Sequence, residues 1–404
     1  MKPHYLGMRP PDDLQHIPPK YWPHHEYCFY LHDQIGELLV QYEASGAHQW
    51  VADAIAKAAT ETGRQGELDV LDLLKEAGLT EAVKHVLIGH LVLALTADML
   101  HFLYEGMRCL EKRKFAVAFS LLRKPFKENM LFLAWLLADP EDFLARFEKD
   151  NYSSLNGLQP ARRQEIFKLA ADKLAMKEAF DGNLIEQWVF SKEMENGLEP
   201  LWQKATHLIT SQGRHLRTED LNINFIFNDA RSDHLYDAAY TMLPYLMLFL
   251  VQLSLRAFSE IAHANVATAN HLVLVSLCAH ENLLSRGPRP STRFITKALK
   301  SMLTCLHCKR PFKFDRANAM SLFLTERASC SACGVDSPAP LYWLLAQSDL
   351  KFIDDQPPSA FDKLMSEIHQ KAEDPSTEKL SAEPKPAPAP PPPDRRTKQK
   401  PSPT

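Results

Sequence analysis

Glycine is scarce in this sequence, with only 14 among 404 residues. A chain that is poor in glycine but rich in leucine and alanine favours helices. The 28 prolines cluster toward the two ends, which leaves few helix breakers in the middle. These two features predict a mainly α protein. Its length and its 45% hydrophobic content leave room for two or more domains.

Cysteine is also scarce, and its number is odd. The chain has seven cysteines, and no apolar signal segment follows its first residues, Met1-Lys2-Pro3-His4. Both features argue against the paired disulfides of a secreted protein, so we expect a cytoplasmic protein. Cys109 and Cys278 lie in apolar helical patterns and are expected to be small buried side chains.

Four of the cysteines have the paired spacing of a metal site. Cys305 and Cys308 form one C-x2-C pair, and Cys330 and Cys333 form a second after 21 residues. Two cysteines separated by two residues can bend so that both sulfurs lie on one side, and two such turns complete a tetrahedral shell suited to zinc. The spacing predicts a structural Zn²⁺ ion, with disulfides or free thiols as the alternatives.

Residues 305–334 resemble a zinc ribbon. Gly334 follows the second pair, where the turn often needs a positive φ, whereas Lys309 has that place after the first pair. The resemblance implies a small β-rich module around a closed metal site, with a span between the pairs that is long enough for a hairpin. His307 could replace a cysteine as a ligand, although the four-cysteine set is already complete. The apolar run Leu341–Leu345 is predicted to be a strand.

Composition divides the chain into four parts. We predict an extended N-terminal arm rich in proline and aromatic residues, a helical bundle, the zinc-ribbon-like module, and a disordered proline-rich tail in which seven of residues 384–393 are proline. Their bounds are 1–31, 32–300, 301–350 and 351–404.

Local signals mark several elements within the helical part. Asp139-Pro140 has the pattern of a helix start, with an N-cap followed by proline. Pro125 is expected to break or kink a helix, and Pro160 to open one. Asn222–Phe227 is the one strand-like segment of this part.

A very apolar helix is predicted from Leu235 to about Ile261. It carries no charged side chain from Ala238 to Leu255, which makes it long enough to span a membrane. Polar residues within it, among them Gln252, favour a buried core helix instead, because other apolar helices can surround it. We therefore expect no membrane insertion.

A basic segment precedes the quartet and continues through its first half. Between Arg286 and Arg316 lie nine basic residues and one acid, a net charge of +8, which leaves −12 for the rest of the chain. Phe294, Phe312 and Phe314 are interleaved with the cations. Lysine and arginine could contact phosphates while aromatic rings stack on unpaired bases, so the pattern predicts nucleic-acid binding. The candidate contacts are Arg286, Arg289, Arg293, Lys297, Lys300, Lys309, Arg310 and Lys313. A basic face that docks on the acidic helical part is the alternative.

A first catalytic hypothesis concerns Arg256 and His263. Seven residues apart on a helix, they lie on one face and could provide phosphate contact and general acid–base catalysis. The spacing resembles the R-x4-6-H motif of HEPN-type ribonucleases, which implies a helical bundle, often a dimer, that cleaves RNA. This chain departs from that motif because Ala257 replaces the usual polar residue after the arginine.

Two other clusters suggest a site. Asp98-x2-His101 and Glu260-x2-His263 are similar to the acid-x2-His pairs of di-metal helical bundles. Five ionisable residues also precede or open the apolar helix, and capping accounts for only one or two of them. They are Asp229, Arg231, Asp233, His234 and Asp237.

The sequence thus predicts a zinc-binding helical protein that acts as an interaction module, with nucleic acid or another protein as its partner. A HEPN-like ribonuclease of defence or toxin type and a metal-dependent helical enzyme are the alternatives. Whether the chain is an enzyme stays open.

Overall fold

The computed structural model describes residues 5–62, 69–148, 157–211, 217–218, 223–224, 233–262, 265–348 and 350. Contacts divide the chain into two units, Met1–Lys363 and Leu364–Thr404. All the described residues belong to the first unit, because the second lies wholly outside them. The predicted tail therefore also lies outside them.

The first unit is mainly helical, as predicted. In chain order its helices are α1 (Pro11–Leu14), α2 (Trp22–Ala44), α3 (Ala47–Thr62), α4 (Val70–Glu76), α5 (Thr80–Glu111), α6 (Phe115–Lys124), α7 (Met130–Ala138), α8 (Pro140–Phe147), α9 (Pro160–Asp172), α10 (Gly182–Phe190), α11 (Leu198–Thr206), α12 (His234–Ile261), α13 (Val266–Leu283), α14 (Pro290–Ala298), α15 (Arg316–Thr325) and α16 (Leu341–Ala346). Two short antiparallel strands, β1 (Arg327–Ser329) and β2 (Asp336–Pro338), pair between α15 and α16.

The helix signals in the sequence were correct at three places. Asp139 caps α8, and its carboxylate accepts the main-chain N–H of Asp142 at 3.2 Å. Pro160 opens α9. At Pro125 the chain forms one wide π-helical turn, Pro125–Asn129, which joins α6 to α7, because proline cannot supply the regular hydrogen bond.

Helix α12 forms the centre of the bundle and packs against α2, α5, α7 and α13. Both α12 and α5 are long and apolar enough to cross a membrane. The most apolar stretch of α12 is 83% buried within the protein, whereas that of α5 is 33% buried. Burial of this degree supports the interpretation of α12 as a core helix.

The structure differs from the sequence-based prediction in three elements. The aromatic arm is not extended up to residue 31, because α2 already begins at Trp22. The run Leu341–Leu345 was wrongly predicted as a strand and lies in α16. The span between the cysteine pairs contains α15 rather than a hairpin alone. The strand predicted at Asn222–Phe227 falls mostly outside the described residues.

A buried polar network attaches the N-terminal residues to the bundle. The carboxylate of Glu26 is fully buried and accepts the main-chain N–H groups of Leu6, Met8 and Arg9 at 2.8 to 3.2 Å. The Arg9 guanidinium donates to Glu111, also fully buried, at 3.0 Å. Arg108 approaches the other oxygen of Glu111 at 2.5 Å. These contacts satisfy two buried carboxylates, which would otherwise be strongly destabilising.

Candidate metal centre

The two cysteine pairs form nearly identical turns. In the first, the main-chain N–H of Lys309 donates to the carbonyl of Cys305 at 2.9 Å, and the N–H of Cys305 donates to the carbonyl of Arg310 at 2.9 Å. Lys309 has φ +60°. The second turn repeats this arrangement, with Gly334 N–H to Cys330 at 2.8 Å, Cys330 N–H to Val335 at 3.0 Å, and φ +72° at Gly334. The prediction of a left-handed residue at Gly334 is therefore confirmed, and Lys309 adopts the same conformation although it is not glycine.

The four sulfurs lie close enough to share one ion. Cys305 Sγ is 3.7 Å from Cys333 Sγ, Cys308 Sγ is 3.6 Å from Cys330 Sγ, and all four lie within 4.8 Å of one another. These distances are too long for disulfide bonds, in which the sulfurs are about 2.05 Å apart. A tetrahedral shell with zinc–sulfur bonds of about 2.3 Å separates its sulfurs by about 3.8 Å. The quartet could therefore hold a metal ion.

The electrostatics of the quartet also suit a cation. The main-chain N–H groups of Cys308 and His307 point at the sulfur of Cys305 and lower its pKa to about 6. The N–H of Val335 lowers the pKa of Cys333, but burial and the neighbouring sulfurs outweigh it and raise that pKa to about 12. Four crowded sulfurs cannot all carry negative charge without a positive ion between them.

One further side chain supports the ligands. Ser337 lies on β2, is 2% exposed, and places its hydroxyl 3.7 Å from Cys305 Sγ. A hydroxyl there can donate a weak hydrogen bond to a metal-bound thiolate and so fix its orientation. The sequence offered no signal for this residue, because the pairing of β1 with β2 is what brings it to the site. His307 is exposed and lies outside the group of possible ligands.

Two arginines of the basic segment attach the metal module to α13. Arg316 donates to the carbonyls of Glu281 and Ser285 at 2.7 and 2.6 Å. Arg289 donates to the side chain of Asn282 at 2.8 Å. Both guanidinium groups are thus used within the protein. Arg289 stays a predicted nucleic-acid contact, with part of its donor set already used within the protein.

The other cations of the segment form an exposed set, which we call the basic surface. None of them takes part in an ion pair or a side-chain hydrogen bond within the described part of the chain, and all are exposed. They are Arg286, Arg293, Lys297, Lys300, Lys309, Arg310 and Lys313. Phe294 and Leu306, at 47% and 59% exposure, lie among them in the sequence. Docking of these cations on the acidic helical part is not seen among the described residues.

Arg256 has partners of its own. Its side chain is 9% exposed, donates to Ser259 Oγ at 2.8 Å, and pairs with Glu260. These contacts account for the charge of Arg256 without a ligand. His263 lies outside the described residues, so its pairing with Arg256 stays a prediction.

The carboxylate of the first acid-x2-His pair also has partners within the protein. Asp98 accepts from Lys124 Nζ at 2.7 Å and from Asn129 at 2.9 Å. Among the described residues, the cysteine quartet alone groups three or more potential ligands around one point. The di-metal hypothesis therefore has no support there.

Part of the five-residue cluster lines an open cleft. Asp229 and Arg231 lie outside the described residues. Asp233 pairs with Arg113 at 2.7 Å and Asp237 pairs with Lys20 at 2.6 Å. His234 and Asp237 line a cleft of about 680 Å³ between the first turns of α11 and α12. Asp233 and Asp237 thus have partners within the protein, which accounts for two of the five charges.

Comparison with known proteins adds nothing to this description. No protein-family model matches the chain, and no curated protein or solved structure matches it. The resemblance to HEPN-type ribonucleases therefore gains no support from relatives.

Proposed function

We propose that the protein binds zinc at the quartet and nucleic acid at the basic surface. Zinc is inferred from the donor set, because four thiolates in a tetrahedral arrangement without an open position suit a structural zinc ion. Such a closed shell cannot bind substrate, so its role is to hold a module that is too small to fold on its own core.

The observation that supports nucleic-acid binding is the unpaired state of the basic surface. Seven cations lie within 28 residues of sequence, and the described residues supply none of them with an acid. Arg293, Lys297 and Lys300 are spaced four and three residues apart, which places them on one side of α14 and its end. A row of uncompensated cations attracts a polyanion and releases its counterions.

Exposed apolar side chains favour unpaired bases over a duplex. Phe294 follows Arg293 directly, and Leu306 lies in the first metal turn three residues before Lys309. Flat or apolar side chains between phosphate contacts are typical of surfaces that bind single strands, because each base offers a face for stacking.

The test is a titration of the full chain with fluorescent single-stranded and duplex oligonucleotides at several salt concentrations. In the triple variant Arg293→Gln, Lys297→Gln, Lys300→Gln, the slope of log affinity against log salt should fall by about 2 for single strands, at about 0.7 per phosphate contact. The matched control changes three exposed lysines elsewhere, Lys168→Gln, Lys177→Gln and Lys192→Gln. Equal slopes in the two triple variants would refute the proposal.

The HEPN-like ribonuclease is the second hypothesis, and no observation on the described residues favours it. It requires that Arg256 leave Glu260 and act with His263. RNA cleavage that disappears in His263→Ala but persists in His48→Ala would support it, and no cleavage by the wild type would remove it.

A further inference from the structure

One buried tyrosine of the bundle is hydrogen-bonded to a base. Tyr240 Oη, on α12, lies 2.6 Å from Nδ1 of His25 on α2, and the two side chains are almost fully buried. The neighbouring Tyr236 instead donates its hydroxyl to the carbonyl of Leu110 at 2.7 Å. A carbonyl oxygen accepts a hydrogen bond without taking up the proton, whereas an imidazole can do both. The hydroxyl of Tyr240 is therefore placed where it can lose its proton.

The partners of His25 determine which of its ring nitrogens carries the hydrogen. His25 Nε2 lies 3.1 Å from Glu111 Oε1. That carboxylate also accepts from Arg9 and Arg108, one on each oxygen, and guanidinium groups only donate. The carboxylate thus has no proton to give, so Nε2 is the protonated nitrogen and Nδ1 accepts from Tyr240. Burial lowers the pKa of His25, which keeps the imidazole neutral and able to take a proton.

This arrangement favours the removal of one electron from Tyr240. A phenol that loses an electron becomes a cation and a much stronger acid, so its proton leaves to a base within hydrogen-bond distance. His25 Nδ1 is such a base. The imidazolium that forms stays beside the carboxylate of Glu111, where their attraction is strong because both groups are shielded from water. The two partners therefore stabilise the oxidised state.

Stacked aromatic rings connect Tyr240 with the protein surface. Its ring centroid is 5.3 Å from that of Tyr21, with 30° between the two planes. The ring of Tyr236 is also stacked on it, at 6.1 Å and 6°. Tyr236 and Tyr240 are 0% and 2% exposed, whereas Tyr21 is 9% exposed, so a reagent in solution reaches this stack at Tyr21. An electron can thus leave Tyr240 through a second oxidisable ring while the reagent stays outside the core.

We propose that Tyr240 is a redox-active residue that gives one electron, through Tyr21, to a one-electron oxidant in solution. In this step the phenolic O–H bond of Tyr240 breaks, its proton forms an N–H bond at His25 Nδ1, and the electron reduces the oxidant. The products are a neutral tyrosyl radical, an imidazolium paired with Glu111, and the reduced oxidant. Burial of Tyr240 keeps two such radicals from coupling, which gives the radical a long lifetime. This activity is independent of the proposed nucleic-acid binding.

Flash oxidation of the full chain tests the proposal, with a photogenerated ruthenium(III) tris-bipyridine complex as the oxidant and electron paramagnetic resonance as the detection. The wild type should give a tyrosyl signal that outlives the radicals of exposed tyrosines. Tyr240→Phe should lose this long-lived signal, whereas Tyr104→Phe, at a position that is 39% exposed, should keep it. A wild type without a long-lived signal, or a signal that persists in Tyr240→Phe, would overturn the proposal.

Two further measurements separate this role from a purely structural one. The amide of His25→Gln can accept a hydrogen bond from Tyr240 but cannot take its proton, so this variant should fold and lose the long-lived signal. In heavy water the radical of the wild type should form more slowly, because the proton moves with the electron. A signal unchanged in His25→Gln, or a rate unchanged in heavy water, would overturn the proton transfer to His25.

A labelled protein keeps the proposal testable if Tyr240→Phe does not fold. A fluorotyrosine in place of Tyr240 retains the hydroxyl, and its fluorine should split the long-lived signal. A signal without fluorine splitting would place the radical on another residue and overturn the proposal.

Discussion

The left-handed residues of the two metal turns allow a quantitative test of how the backbone sets metal affinity. Lys309 and Gly334 occupy equivalent positions, with φ +60° and +72°. A side chain in this region costs roughly 1–2 kcal/mol, whereas glycine loses about 0.5–1 kcal/mol more entropy on folding than alanine. Lys309→Gly should therefore stabilise the first turn by about 0.5–1 kcal/mol, which is the difference between these two costs.

The change in the stability of the turn should appear as a change in metal affinity. No atom lies within 4 Å of a Cβ built on Gly334, so a substitution there changes the backbone preference and creates no clash. Because folding of a small metal module is coupled to binding, a change of 0.5–1 kcal/mol corresponds to about two- to fivefold in apparent zinc affinity. Lys309→Gly should raise that affinity, and Gly334→Ala should lower it by a similar factor.

Competition with a chromophoric chelator measures both effects. Lys309→Ala is the necessary control, because it removes the same charge and keeps a Cβ at positive φ. The reasoning fails if Lys309→Ala and Lys309→Gly change the affinity equally, since the charge and not the backbone would then be responsible.

Two predictions concern the bundle. Burial lowers the pKa of His280 from 6.5 to about 4, so the unfolded state binds its proton first and stability falls as pH drops below 6.5 toward 4. In urea unfolding, the free energy of unfolding should fall by about 2 kcal/mol less between pH 7.5 and 5 in His280→Gln than in the wild type. In His48→Gln, at an exposed position, it should fall as much as in the wild type. An equal fall in His280→Gln would contradict the prediction. Glu111→Leu should cost about 1–3 kcal/mol, because it removes the buried carboxylate that contacts Arg9, Arg108 and the buried ring of His25, although Asp13 still pairs with both arginines. Glu105→Leu is the exposed control, and a cost below about 1 kcal/mol would refute the role of the network.

The cysteine cluster was predictable because its signal is local. Each pair of cysteines needs only two intervening residues and a left-handed residue to form its turn, and all of these are adjacent in sequence. The cap at Asp139 was predictable for the same reason. Ser337 was not, because only the pairing of two three-residue strands brings it to Cys305.

Elements that depend on tertiary contacts were predicted less well. The prolines of residues 1–31 suggested an extended arm, yet proline is tolerated in the first turn of a helix, and Pro23 lies in the first turn of α2, which begins at Trp22. The run Leu341–Leu345 is too short for its periodicity to distinguish strand from helix. Its burial in α16, with Leu341, Leu344 and Leu345 inside, follows helical spacing.

The roles of the cations in the basic segment were also not predictable from the sequence. Its net charge was evident, but the sequence could not separate the structural cations from the exposed ones. Arg316 is bound by main-chain carbonyls at the end of α13, and such acceptors carry no sequence signal because every residue has one.

The cations of α14 and those of the first cysteine turn are held in position by different contacts. Only the position of the second group should depend on metal. Helix α14 is held by Glu281, whose carboxylate accepts the N–H groups of Ser291 and Thr292 at 2.9 Å, so its cations keep their positions without the quartet. Lys309 and Arg310 belong to the first cysteine turn, whose conformation would depend on the ion proposed at Cys305. If the protein binds nucleic acid as proposed, removal of metal should therefore weaken that binding only in part. The share that remains would come from α14, and the share that is lost measures what the metal contributes by fixing two cations in place.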